Sequence, residues 1–199
     1  MARWNWVAGI SLYCIGCAAD MPPVVDLTQV KDPLVFGRVV AVITGETSRM
    51  YKPEVRFFDV EDQQSHARFN VEIKSEDRHF AISLPAGDYR INRVQISEGP
   101  FMSMAQLSAE FSVERDEVTY LGTWRFGVGS PGYGRMVALS MVMDPDERSQ
   151  ADTFLSKQYS TLHGVSVTAT LPKPSTVETR LYEVMPYPRY PRYFQRHVW

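Results

Sequence analysis

The residues best equipped for chemistry lie in a few places along the chain. Cys14 and Cys17 form a Cys-x-x-Cys pair and are the only cysteines among the 199 residues. Such a pair can cycle between dithiol and disulfide, or supply half of a tetrahedral zinc site. Zinc would need two further ligands, and His66, His79, His163 and His197 show no ligand spacing. A thioredoxin-like pair would need a βαβ context, which the rest of the chain lacks. His79 and His163 could serve as general bases. His79 falls on the outward phase of a strand, and His163 at a helix terminus suits the negative end of the dipole. Residues 127–132 spell G-x-G-x-x-G, but a phosphate cradle needs its last glycine to open a helix, and here strand patterns lie on both sides. Ser130 is no nucleophile elbow, because Val128 stands where that motif demands glycine. Asp144, Asp146 and Glu147 could gather round calcium, although the same order, Asp-Pro-x-acid, is what a helix N-terminus asks of its cap. No catalytic constellation emerges, and neither a metal nor a cofactor is expected.

The segment 185–199 is the unusual surface. It carries Arg189, Arg192 and Arg196 without an acid, interleaved with Tyr187, Tyr190, Tyr193, Phe194 and Trp199. Pro186, Pro188 and Pro191 favour polyproline II. Arginine alternating with aromatics can stack on bases, but the formal net charge of −2 leaves no strong footprint for nucleic acid, which is not expected as a partner. In a cell envelope the counterpart would be anionic lipid or polymer, since Tyr and Trp settle at interfaces and Arg reads phosphate. A tail merely draped over the surface would have the same composition.

The chain starts with a short, weakly basic stretch and the uncharged, mostly apolar run VAGISLYCIG at 7–16, of secretory-signal size and too short to span a bilayer. It leads into Cys14-Ile15-Gly16-Cys17-Ala18. This resembles the lipobox of bacterial lipoproteins, in which a small residue precedes the cysteine that takes the lipid. The resemblance implies a signal peptide at 1–16, acylation of Cys17 with palmitate-like chains, and, with Ala18 rather than aspartate next, an outer-membrane anchor facing the periplasm or cell surface. Two or three acyl chains at about 0.8 kcal/mol per buried methylene would hold the protein stably to a membrane. Residues 17–33, with a Pro-Pro pair and little periodicity, read as a tether.

Hydrophobic residues make up 44% and charged residues 22%, enough for one sizeable core in a single domain. That core must hold the body without disulfides, because both cysteines precede it. Residues 34–43 read as a central strand, 54–60 as a short one, and 68–74 as a half-buried one with Phe69, Val71 and Ile73 inward. Residues 78–96 read as a central hairpin. Phe80, Ile82 and Leu84 face inward, Pro85 to Asp88 turn, and a slip of phase after Ile91 implies a bulge near Asn92-Arg93. Strands follow at 107–113, 118–126, 135–143 and 165–171, with Val118, Tyr120, Trp124 and Phe126 on one face and Gly122 leaving room for an aromatic ring. Between the last two, Ala151, Phe154, Leu155, Tyr159 and Leu162 recur at helical spacing, predicting one amphipathic helix over 146–160.

Strands at intervals near ten residues point to an antiparallel β-sandwich over 34–171, with 172–199 as a Pro/Tyr/Arg-rich tail. The motifs LPAGDY and YLGTW are similar to those of carboxypeptidase-regulatory-like, or prealbumin-like (transthyretin-like), β-sandwiches. That resemblance implies a non-catalytic accessory module and lends this chain no catalytic residue.

The expected function is therefore that of a lipid-anchored envelope protein that works by binding another envelope protein or a cell-wall polymer. Its contacts are expected on the loops at 44–53, 97–105 and 127–134, where Tyr51, Phe101 and Tyr133 offer aromatic groups, and on the tail through Arg189, Arg192 and Trp199. Two alternatives stand beside it: a carbohydrate-binding module using exposed aromatics as platforms, and an envelope hydrolase in which His79 or His163 meets a carboxylate and a nucleophile.

Overall fold

The computed structural model describes residues 19–21, 32–45, 50–73, 78–115, 117–129, 135–159, 162 and 166–184. The protein is mainly β. Its strands are β1 (Ala19–Met21), β2 (Leu34–Ile43), β3 (Pro53–Asp62), β4 (Arg68–Glu72), β5 (His79–Ser83), β6 (Gly87–Glu98), β7 (Phe101–Val113), β8 (Val118–Val128) and β9 (Met136–Val142). One helix, α1 (Pro145–Gln158), precedes β10 (Val167–Ala169), β11 (Lys173–Pro174) and β12 (Glu178–Val184). The strands hydrogen-bond in the order β1-β4-β3-β6-β7-β12-β9-β8-β2-β5, with β10 added to β8 and β11 to β7, and the sheet curls into a nearly closed, barrel-like body.

The long strands form where apolar residues alternate. In β7, Leu107, Ala109, Phe111 and Val113 are buried while Gln106, Glu110 and Ser112 are exposed, the period of two that a one-sided sheet requires. The inward faces meet in one core, in which the rings of Phe58, Phe80 and Trp124 pack at centroid separations of 5.0, 4.8 and 5.1 Å. Close approach here depends on Gly37, where a Cβ would stand 2.8 Å from the Phe80 ring. Trp124 keeps its indole N–H satisfied inside this core by donating to the Leu121 carbonyl at 2.9 Å. Tyr89 donates to the Pro85 carbonyl at 2.7 Å, and burial, with the charges of Asp62 and Asp32, pushes its phenol up to about 12.

Several expectations give way to the structure. The stretch 78–96 is not a hairpin: β5 pairs with β2, whereas β6 pairs with β3 and β7. Pro85 to Asp88 therefore carry the chain from one half of the sheet to the other. The bulge expected beside Asn92-Arg93 is present as a register shift between Ile91 and Arg93. The sheet is not wholly antiparallel, since β2 and β10 run parallel to β8, and β1 to β4. Ala19–Met21 lie within the expected tether yet pair with Phe69–Val71. The body also continues past residue 171. In β12, Glu178 to Arg180 pair with β9 and Leu181 to Val184 pair with β7, so one strand joins the two halves. Only Leu181 is buried in that strand among its described side chains, too weak a pattern to announce it.

Gly122 has φ of +75°, and against β2 the chain gains a residue between Tyr120 and Thr123, the signature of a bulge. As a result Val118 and Tyr120 face away from Trp124 and Phe126 instead of sharing their side. The space that Gly122 leaves is taken by Leu171 and the Val142 carbonyl, 2.5 and 2.6 Å from where a Cβ would stand, not by an aromatic ring.

The outer face thus created is covered by α1. Asp144 caps it as the sequence predicts, accepting from the amides of Asp146 (2.9 Å) and Glu147 (3.3 Å), with Pro145 following in the first turn. Ala151, Leu155 and Tyr159 bury themselves against Leu34 and Phe36 of β2, Ala81 of β5, and Val118 and Tyr120 of β8, forming a second apolar cluster. Full burial of a side chain such as Leu155 contributes roughly 1.5–3 kcal/mol.

Candidate functional site

Charged groups collect where α1 crosses β2, β5 and β8. Glu147, in the first turn of the helix, accepts from Arg125 of β8 at 2.9 Å and lies 3.5 Å from Arg38 of β2, both through Oε1. Arg38 also donates to Gln150 Oε1 at 3.3 Å. The next residue, Arg148, pairs with Asp152 at 3.0 Å and lays its guanidinium 4.7 Å from the centroid of the buried Tyr120 ring. Burial raises the Tyr120 phenol above its ordinary range, so it stays neutral.

Past this network, a crevice of about 480 Å³ opens between the sheet and the C-terminal half of α1. Arg38 and His79 line it from the sheet, and Gln150, Thr153, Phe154, Lys157 and Gln158 from the helix. The His79 ring stacks on Phe154, 4.8 Å between centroids and 14° from parallel. His79 was expected to face outward; it does lie opposite Phe80, but α1 roofs that side of β5 and leaves it only 6% exposed. Phe154, which covers it, lies 75 positions further along the chain, so strand phase alone could not reveal its burial. The recurrence of Phe154 on the apolar stripe of α1 was the one sequence signal for a partner there.

Two of the expected binding residues come together elsewhere. The rings of Tyr51 and Phe101 lie 6.5 Å apart at 56°. Tyr51 closes over the β6–β7 turn, where Gly99 has φ of +59° and a Cβ would stand 2.6 Å from the Tyr51 ring. Beside it Met50 is 84% exposed. The loop expected at 97–105 shrinks to Gly99 and Pro100, because Glu98 ends β6, Phe101 opens β7 and the two pair with each other. Phe101 is consequently half-buried, and Met102 and Met104 lie opposite Val184 and Tyr182 of β12.

The remaining candidates separate. Cys17, Tyr133, His163, Arg189, Arg192, His197 and Trp199 lie outside the described residues, as do the rest of the 1–16 segment and of the 185–199 tail. His66 is exposed and pairs with Glu61 at 3.4 Å. Of the glycine-rich motif, Gly127 and Val128 complete β8, and the next described element is the strand β9. Asp144, Asp146 and Glu147 are engaged in capping and the arginine network, and among the described residues no cluster of three or more His, Cys, Asp or Glu could hold a metal ion. Also among the described residues, no helix is long and apolar enough to cross a membrane.

No protein-family model matches the chain, and no match was found among curated proteins or solved structures.

Proposed function

We propose that this is a lipid-anchored accessory protein of a bacterial cell envelope that acts by binding a partner protein or envelope polymer, without catalysis. The anchor rests on the sequence VAGISLYCIGC, which places an acylatable thiol at Cys17 behind a signal-sized apolar run. The observation that carries the binding role is the corner where Tyr51 meets Phe101 beside the exposed Met50: apolar and aromatic groups gathered at the β6–β7 turn are what a partner contact uses. The kinship with prealbumin-like sandwiches remains part of the proposal. Its support is the packing of Phe58 of β3 against Trp124 of β8 and Phe80 of β5, which sets two halves of the sheet face to face.

A hydrolase would need a carboxylate and a nucleophile beside His79; among the described residues, those that share its crevice are Arg38, Gln150, Thr153, Phe154, Lys157 and Gln158. Two measurements test the proposal. Mass spectrometry of the mature protein from a bacterial host is expected to show acylated Cys17 at the N-terminus. A photo-crosslinking residue placed at Met50 is expected to trap one dominant envelope component. An unmodified N-terminus ahead of Cys17 overturns the anchor, and the same crosslinks after Tyr51→Ala and Phe101→Ala overturn the binding corner.

A further inference from the structure

We infer that the crevice between β2, β5 and the C-terminal half of α1 is a binding site for a small oxyanion, the carboxylate or phosphate group of a larger ligand. The inference stands apart from the lipid anchor and from the Tyr51–Phe101 corner.

Its lining is one-sided in charge. Among the described residues that line it, Arg38 and Lys157 contribute cations, Gln150, Gln158 and Thr153 contribute neutral polar groups, and none is a carboxylate. The nearest acid of the network, Glu147, is shared: Arg125 holds the same oxygen at 2.9 Å that Arg38 approaches only to 3.5 Å. Two guanidiniums on one carboxylate leave a positive excess, and Arg38 is the more weakly held of the two. Lys157 is exposed and makes no ion pair among the described residues. It also offsets the negative end of the α1 dipole, so the favoured position for an anion is toward Arg38 and away from the last carbonyls of the helix. The stacked His79 and Phe154 rings close one side of the crevice with apolar surface, and the volume suits a small molecule or one residue of a polymer. Guanidinium, amide and hydroxyl donors around an oxyanion are the groups that make charge-assisted hydrogen bonds in a partly desolvated site.

Calorimetric titration of the full chain with sodium pyrophosphate and with sodium glucuronate, and with neutral N-acetylglucosamine as control, tests the inference. At least one anion is expected to bind with 1:1 stoichiometry, and the neutral sugar not to bind. Pyrophosphate alone would identify a phosphate ligand, and glucuronate alone a carboxylate. Lys157→Gln, at an exposed position, is expected to weaken binding roughly tenfold with little change in melting temperature. Arg38→Gln is expected to weaken it further. Failure of both anions to bind up to about 10 mM, or undiminished affinity in Lys157→Gln, overturns the site.

Discussion

Glu98 at the end of β6 and Arg135 just ahead of β9 form an ion pair whose side chains are only 9% and 7% exposed. The Arg135 carbonyl also accepts the Leu181 amide at 2.9 Å, at the point where β12 passes from β9 to β7. The pair therefore sits at the seam between the two halves of the sheet. Removing one partner leaves the other charge buried, and Arg135→Met or Glu98→Leu alone is expected to cost about 3–5 kcal/mol in urea denaturation. The double variant is expected to cost less than the sum of the two single changes, because neither member of the pair is then buried without the other.

Gly122→Ala is expected to destabilise by about 3 kcal/mol. A left-handed residue with a Cβ costs roughly 1–2 kcal/mol, and the new methyl would collide with Leu171 and the Val142 carbonyl. Gly87→Ala is the control. Its Cβ would meet nothing closer than 3.9 Å, so the melting temperature is expected to hold or rise slightly.

Acid sensitivity is expected to centre in part on Glu61. Burial alone would raise its pKa, but hydrogen bonds from Arg68, Asn92 and His66 outweigh burial and hold the carboxyl below its ordinary value of 4.5. A depressed pKa in the folded state means that the stabilisation is fully present above the unfolded value and is lost as pH falls through the folded one. Glu61→Gln should therefore be less stable than the parent at neutral pH by roughly 1 kcal/mol. The melting temperatures of the two proteins should converge as pH falls below 4.5 and through the lower folded-state value.

Loss of the helix cap is expected to act locally. Asp144→Ala strands the amides of Asp146 and Glu147 at a cost of about 1 kcal/mol. Hydrogen exchange across α1 should quicken while amides of β6 and β7 stay as slow as in the parent. Equal acceleration in all three elements would show that α1 and the sheet open as one unit.

What the sequence made legible was local. Alternation in Phe69–Val71 and in Leu107–Val113 announced β4 and much of β7, and the order Asp144-Pro145-x-Glu147 announced where α1 begins. What it hid depended on partners far along the chain. Pro85-Ala86-Gly87-Asp88 is a turn whether it closes a hairpin or crosses between halves of a sheet, because turn chemistry specifies dihedral angles and not the neighbour of the next strand. Gly122 reversed the faces of β8 at a single residue, so Tyr120 and Trp124, an even four positions apart, ended on opposite sides. Met102 and Met104 looked like loop residues because their partners on β12 follow some eighty positions later. The crevice was invisible for the same reason. Arg38, His79 and Lys157 share nothing in sequence and become neighbours only once α1 lies down across β2 and β5.

The position of β12 in the chain sets the timing of assembly. As each residue is synthesised, β7 and β9 must wait with open flanks until Glu178–Val184 emerges to clasp both. A nascent polypeptide so constructed completes its sheet only after that late segment has emerged. The same arrangement makes any shortened product ending before Glu178 sticky, since two long unsatisfied strand borders would then solicit other chains.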